Sequence, residues 1–195
     1  TILNLRQDQN ILLLMPASRP QELKYLLPTF MLVARKLQQK YPSLVVYIPS
    51  CRNVFDERFK KAFRKYQVKG QVISQKDIAR LKPYIYSLTK IALCKSGTVN
   101  MELALYGIPQ IVGYRVSRVT AFIAKKILNF KVRFISPVNL LVNKLIIPEF
   151  VQKEFDENKI FYKSCRILDG KSEKIKIKKG YAFLKKELGE EGVVQ

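Results

Sequence analysis

Two short segments of this sequence combine residue types that hold phosphate groups. The first is Pro16-Ala17-Ser18-Arg19-Pro20-Gln21-Glu22. Ser18 and Gln21 have the spacing of a helix capping box, and Pro20 suits a first helical turn. Arg19 would then stand at a helix N-terminus, where a guanidinium fork and the helix dipole together suit a diphosphate. The same residues also describe a plain helix start with a solvated Arg19. The second segment is Ser96-Gly97-Thr98-Val99-Asn100-Met101-Glu102. Gly97 allows a ligand close to the backbone. The Ser96 and Thr98 hydroxyls and the amides beside them can hold phosphate oxygens. Glu102, one turn further on, can accept from both hydroxyls of a ribose. The alternative here is a simple cap at Ser96 or Thr98 and a glutamate that favours the helix dipole.

Both segments follow apolar runs, and those runs define the scaffold. Ile11–Met15 and Leu44–Ile48 are continuous apolar stretches closed by Pro16 and Pro49, the pattern of strands buried on both faces. Between them Leu23, Leu26, Leu27, Phe30, Val33, Ala34 and Leu37 recur at helical spacing. A second helical stripe runs over Phe55, Phe59, Ala62, Phe63 and Tyr66. A strand at Gln71–Ser74, a helix over Asp77–Leu88, a strand at Ile91–Cys94, a helix over Val99–Tyr106 stopped by Gly107, and a strand at Gln110–Tyr114 follow. Alternation of this kind predicts a Rossmann-like α/β fold, a parallel sheet with helices on both faces. Such a sheet binds its ligand at the carboxyl ends of its strands, which is where both segments fall. From Lys171 the sequence turns Lys-rich, and a loosely packed helix over Tyr181–Leu188 is predicted at the end. The chain divides into a Rossmann-like domain over residues 1–165 and a basic helical tail over 166–195.

Composition narrows the chemistry. The 195 residues contain no His, which removes His-based catalysis and most zinc sites. Cys51, Cys94 and Cys165 are odd in number and far apart, so a disulfide framework is not expected and a reducing cytosol is. Cys94, inside an apolar run, reads as a small core residue. No apolar stretch reaches the roughly 18 residues of a membrane span. Thirty-six Lys and Arg against fifteen Asp and Glu give a formal charge of +21, which calls for an anionic partner: nucleic acid, anionic lipid or a phosphorylated substrate. The basic residues are spread over many helices and form no nucleic-acid motif, so a nucleic-acid-binding module is the weaker reading. The chain opens on Thr1, as a chain starting inside a longer protein would.

Four segments in register carry a family resemblance. Leu13-Leu14-Met15-Pro16-Ala17-Ser18-Arg19 with Glu22 is the first. Ser96-Gly97-Thr98 with Met101-Glu102-Leu103-Ala104-Leu105, then Gly107-Ile108-Pro109-Gln110-Ile111-Val112-Gly113-Tyr114-Arg115, is the second. Ser136-Pro137-Val138-Asn139-Leu140-Leu141 and Pro148-Glu149-Phe150-Val151-Gln152 complete the set. In order and separation they resemble the lipid-A-disaccharide synthase family over roughly residues 10–165.

The resemblance implies the C-terminal half of a two-domain GT-B fold with a UDP-sugar bound between the halves. It implies an inverting transfer joining UDP-2,3-diacylglucosamine to 2,3-diacylglucosamine 1-phosphate, without a metal or other cofactor. By the match, Arg19, Ser96, Gly97 and Thr98 would contact the diphosphate and Glu102 the ribose. Asn139, Glu149 and Gln152 would lie near the donor sugar and phosphates, and Arg115 occupies a further matching position. No catalytic residue is assigned to this chain, because the family's aspartate base and acceptor-binding domain precede the matching region. Partners implied are the acylated UDP-sugar, a lipid-linked acceptor and the chain's own N-terminal domain. A homodimer is left open. Two departures stand out: Ala17 replaces a glycine, and Lys144 replaces an arginine, keeping charge but losing the bidentate fork.

The stretch Thr120–Phe134 reads as a basic amphipathic helix suited to an anionic membrane surface, or as an ordinary helix packed on the sheet. The first reading places the protein in the cytoplasm, peripheral on the inner face of the cytoplasmic membrane. Other readings on the same fold are a UDP-sugar epimerase or a peptidoglycan-type transferase.

Overall fold

The computed structural model describes residues 9–17, 19–50, 53–117 and 133–189. Its strands are β1 (Asn10–Met15), β2 (Leu44–Pro49), β3 (Gly70–Ile73), β4 (Thr89–Lys95), β5 (Gln110–Tyr114) and β6 (Glu149–Val151). The helices are α1 (Pro20–Lys40), α2 (Asp56–Tyr66), α3 (Gln75–Leu88), α4 (Val99–Leu105), α5 (Pro137–Leu141), α6 (Glu157–Asp169) and α7 (Lys171–Glu187). The sheet is parallel throughout, in the order β3-β2-β1-β4-β5-β6.

The continuous apolar runs take the centre because only a strand covered on both faces can bury every side chain. Ile11–Leu14 of β1 and Ile91–Cys94 of β4 are fully buried, side by side. Helix α1 packs with α2 and α6, α4 with α5 and α7, and α6 with α7. Helix α4 stops at Gly107, whose φ of 71° is left-handed, and the amides of Gly107 and Ile108 close onto the carbonyls of Ala104 and Leu103.

Two expectations change. Strand β6 was not foreseen; it is three residues long and half-buried, too short to show a period. The final helix starts at Lys171 rather than Tyr181, and it is packed, not loose: Ile177, Tyr181 and Leu184, spaced at i, i+4 and i+7, are 2% exposed or less. Residue 165, where the domain boundary is expected, lies within α6. Residues 118–132, and with them nearly all of the amphipathic helix expected over Thr120–Phe134, lie outside the described residues. Among the described residues no helix is long and apolar enough to cross a membrane.

Candidate functional site

The strand order reverses between β1 and β4. Connections from these neighbours leave in opposite directions and open a crevice at their carboxyl ends, where sheets of this order bind nucleotides. Met15 ends β1 and Lys95 ends β4. Both sequence segments lie at this crevice. Arg19 forms the exposed N-cap of α1 in an extended conformation, and Pro20 begins the helix. Ser18, the expected cap, lies outside the described residues.

Lys95 was not singled out from the sequence. Its ammonium meets a Glu22 carboxylate oxygen at 2.6 Å, with both side chains largely shielded from water. The other Glu22 oxygen is buried without a partner. The signal available in the sequence was position: Lys95 is the last residue of a buried strand, next to Ser96-Gly97-Thr98.

In that turn the cap reading does not hold. Thr98 precedes α4, but its hydroxyl makes no cap bond. The Ser96 hydroxyl instead donates to the Ile135 carbonyl, 2.5 Å away. Gly97 has no left-handed backbone, and a Cβ built on it meets nothing within 4 Å. Among the described residues, neither backbone geometry nor packing requires glycine there. The open space beside Gly97 is the approach a ligand would use. The Gly97 amide donates to Asn100 Oδ1 at 2.8 Å.

Glu102, one turn into α4, pairs with Lys82 of α3. Lys82 also sits over the Tyr86 ring, 5.8 Å from its centroid. Burial, with the Glu102 charge adding to it, pushes the Tyr86 hydroxyl up, so it stays neutral. A ribose at Glu102 would share the carboxylate with Lys82.

Asn139 and Glu149 come together, but on each other and on their own backbone. Glu149 accepts from the amides of Ile135 and Ser136 (2.8 and 2.9 Å), the Ser136 hydroxyl (2.6 Å) and Asn139 Nδ2 (2.7 Å). Asn139 is fully buried; its Oδ1 accepts from the amides of Ile146 and Ile147, and its Nδ2 also donates to the Ile147 carbonyl. These two side chains fold the segment 135–147 against β6, and through Ile135 that segment meets Ser96. Gln152 directly follows β6 in a left-handed conformation, φ 51°, at the carboxyl edge. A non-glycine residue there costs about 1–2 kcal/mol. Arg115 follows β5 and is exposed.

Cys94 is fully buried and its thiol is pushed up to about 12 by that burial, so it is an inert core residue. Among the described residues no group of three or more His, Cys, Asp and Glu could hold a metal ion. Two open cavities of about 470 and 420 Å³ lie away from the crevice, near the amino ends of β1 and β2, lined by Lys40, Asp169 and Arg166 and by Asn10, Tyr41 and Lys90 respectively. Their residues are ion-paired or ordinary surface groups, and the crevice at Lys95 remains the position with convergent polar chemistry.

Comparison with known proteins bears on the family and the fold. The chain is 43% identical over 191 residues to a lipid-A-disaccharide synthase of Prochlorococcus marinus, covering 98% of this chain and 49% of that protein. It is 36% identical to the Gloeothece citriformis protein of the same name, covering 98% and 48%, and 32% identical to that of Vibrio vulnificus, covering 87% and 43%. The chain thus spans about half the length of the curated relatives it matches. Among solved structures, S. aureus MnaA with UDP superposes with a TM-score of 0.62 at 12% identity, over 89% of this chain and 41% of that one. The catalytic domain of cholesterol-alpha-glucosyltransferase from Helicobacter pylori gives 0.59 at 12%, over 92% and 98%. Those two likenesses establish the α/β fold of GT-B glycosyltransferases and epimerases. The family model of lipid-A-disaccharide synthetase matches residues 1–193, and the chain belongs to that family.

Proposed function

We propose that this chain is the donor-binding half of a glycosyltransferase and holds UDP in the crevice between β1 and β4. The observation that carries the reading is Gly97: packing among the described residues leaves that glycine unexplained, and a close-approaching phosphate explains it. Arg19 and Lys95 then neutralise the diphosphate, with the Ser96 and Thr98 side chains beside it. Charge builds on that diphosphate as the sugar–phosphate bond breaks, so cations held there stabilise the leaving group. Glu102 takes the ribose hydroxyls. The relatives' names and the UDP in the S. aureus co-structure support a UDP-sugar donor.

The finer reading is the transfer of a 2,3-diacylglucosamine unit from UDP to 2,3-diacylglucosamine 1-phosphate with inversion. A base outside these residues takes the proton of the acceptor hydroxyl as it attacks the anomeric carbon, and UDP leaves. Glu22, Glu102 and Glu149, the acids of the motifs, are each engaged by cations or amides, which suits binding and framework roles rather than that of a free base. Both substrates carry lipid, and the +21 charge suits work at the anionic inner face of the cytoplasmic membrane. Titration calorimetry of the chain with UDP tests the site. Glu102→Ala is expected to weaken binding by about 1.5–3 kcal/mol, the worth of hydrogen bonds to a charged group. Unchanged affinity in a folded variant would contradict the assignment.

A further inference from the structure

A buried line of polar side chains runs from α7 to the Ser96-Gly97-Thr98 turn. The Tyr181 hydroxyl donates to the Ile108 carbonyl (2.9 Å) and accepts from Gln110 Nε2 (3.1 Å). Gln110 Nε2 also donates to the Asn100 carbonyl (2.9 Å), while Gln110 Oε1 accepts from Asn100 Nδ2 (3.0 Å). Asn100 Oδ1 accepts the Gly97 amide, and Asn100 Nδ2 reaches the Lys95 carbonyl at 3.2 Å. One side chain thus grips the backbone on both sides of Ser96. Asn100 and Gln110 are fully buried and Tyr181 is 2% exposed.

Apolar residues of similar size would fill this space but would leave the Gly97 amide and the Ile108 carbonyl without these partners. What they could not do is hold one backbone arrangement, because a fully satisfied buried network is directional and packing is not. The turn at its end makes no cap bond of its own at Thr98. Asn100 holds the backbone of the turn from behind, beside the bond from the Ser96 hydroxyl to Ile135.

We infer that Asn100, Gln110 and Tyr181 are positioning residues for the phosphate-holding turn, and that α7 sets the turn's shape through the Tyr181 hydroxyl. The inference rests on reading that turn as the nucleotide site. It makes the Lys-rich C-terminal helix a working part of the binding unit, although Tyr181 touches no ligand.

The test compares Tyr181→Phe with Leu184→Ala in the whole chain. The first removes one hydroxyl; the second loosens α7 packing and leaves every hydrogen bond of the line in place. Amide exchange at Gly97 and calorimetry with UDP and with uridine are the readouts, beside the thermal midpoint. Tyr181→Phe should speed Gly97 exchange and weaken UDP binding, each roughly 2- to 10-fold, with uridine unaffected. Leu184→Ala should lower the midpoint while Gly97 exchange and UDP affinity stay at wild-type values. Asn100→Ala should exceed Tyr181→Phe in both readouts; if it does not fold, Tyr181→Phe decides alone. A wild-type Gly97 exchange rate in Tyr181→Phe overturns the inference, as does faster exchange with wild-type UDP affinity. A wild-type chain that binds no UDP would instead overturn the reading of the site, and the exchange rates would still judge the network.

Discussion

Lys95 and Glu22 close an ion pair across the mouth of the sheet: the ammonium at the end of β4 lies 2.6 Å from a carboxylate in the first turn of α1. This cation sits beside the candidate phosphate turn, and a carboxylate occupies it. A diphosphate must therefore compete with Glu22. Lys95→Met is expected to weaken UDP binding by about 1.5–3 kcal/mol, as loss of a hydrogen bond to a charged group does. Glu22→Gln should strengthen it, because the ammonium is released. Calorimetry at low salt measures both. If Glu22→Gln weakens UDP as much as Lys95→Met does, the intact pair is a structural element and not a competitor.

Gly97 separates binding from folding. Alanine fits there without a clash and without a left-handed backbone. Gly97→Ala should leave stability unchanged or raise it by about 0.4–1 kcal/mol through the unfolded chain. UDP binding should nevertheless fall, since the new methyl stands where the phosphate approaches. A thermal midpoint and an affinity that both stay at wild-type values would remove the ligand explanation for this glycine.

Much of this was legible in the sequence, for identifiable reasons. Strands β1, β2, β4 and β5 announce themselves because burial on both faces demands unbroken apolar runs, and Pro16, Pro49 and Gly107 punctuate them. Ser96 and Gly97 stand out because they fall between such a strand and a helix, and Glu102 because it lies one turn into that helix. Strand β6 was hidden by its length, and α7 by composition: its lysines mask the spacing of Ile177, Tyr181 and Leu184. The grouping of Glu149 with Ile135, Ser136 and Asn139 depends on how residues 135–147 fold back, which no local pattern encodes. Lys95 and Asn100 escaped notice because their roles come from partners, Glu22 and Gln110, brought close by the β1–β4 and β4–β5 pairings.

Glu149 is held by four donors, and truncating it would strand them. Glu149→Ala should cost about 2–4 kcal/mol, the usual result of breaking a partly buried network. Thermal unfolding gives the measure. A wild-type midpoint with lost UDP-sugar affinity would place Glu149 on the sugar instead of in the framework.

Glu173 of α7 binds Lys163 (3.0 Å) and Arg166 (2.7 Å) of α6. Its bond to Lys163, with both cations nearby, holds its carboxyl below the usual glutamate value of 4.5. A folded value lowered in this way stabilises the chain above the unfolded value and is lost as pH falls through the folded one. Stability should therefore decline as pH drops below about 4.5, and Glu173→Gln should flatten that part of the curve. Denaturant titrations from pH 3 to 6 would show it; identical pH profiles for the two proteins would mean that the pairs contribute nothing measurable.

UDP is expected to occupy the crevice between β1 and β4. The most direct measurement is amide chemical-shift mapping of the isotope-labelled chain as UDP is added. Shifts are expected at Ala17, Arg19 and Glu22, at Lys95 through Glu102, and at Gln152, and they should be absent in Gly97→Ala at the same UDP concentration. Saturable shifts centred elsewhere, for example around Lys40 and Asp169 at the opposite edge, or no shifts at all in a folded chain, would contradict the account.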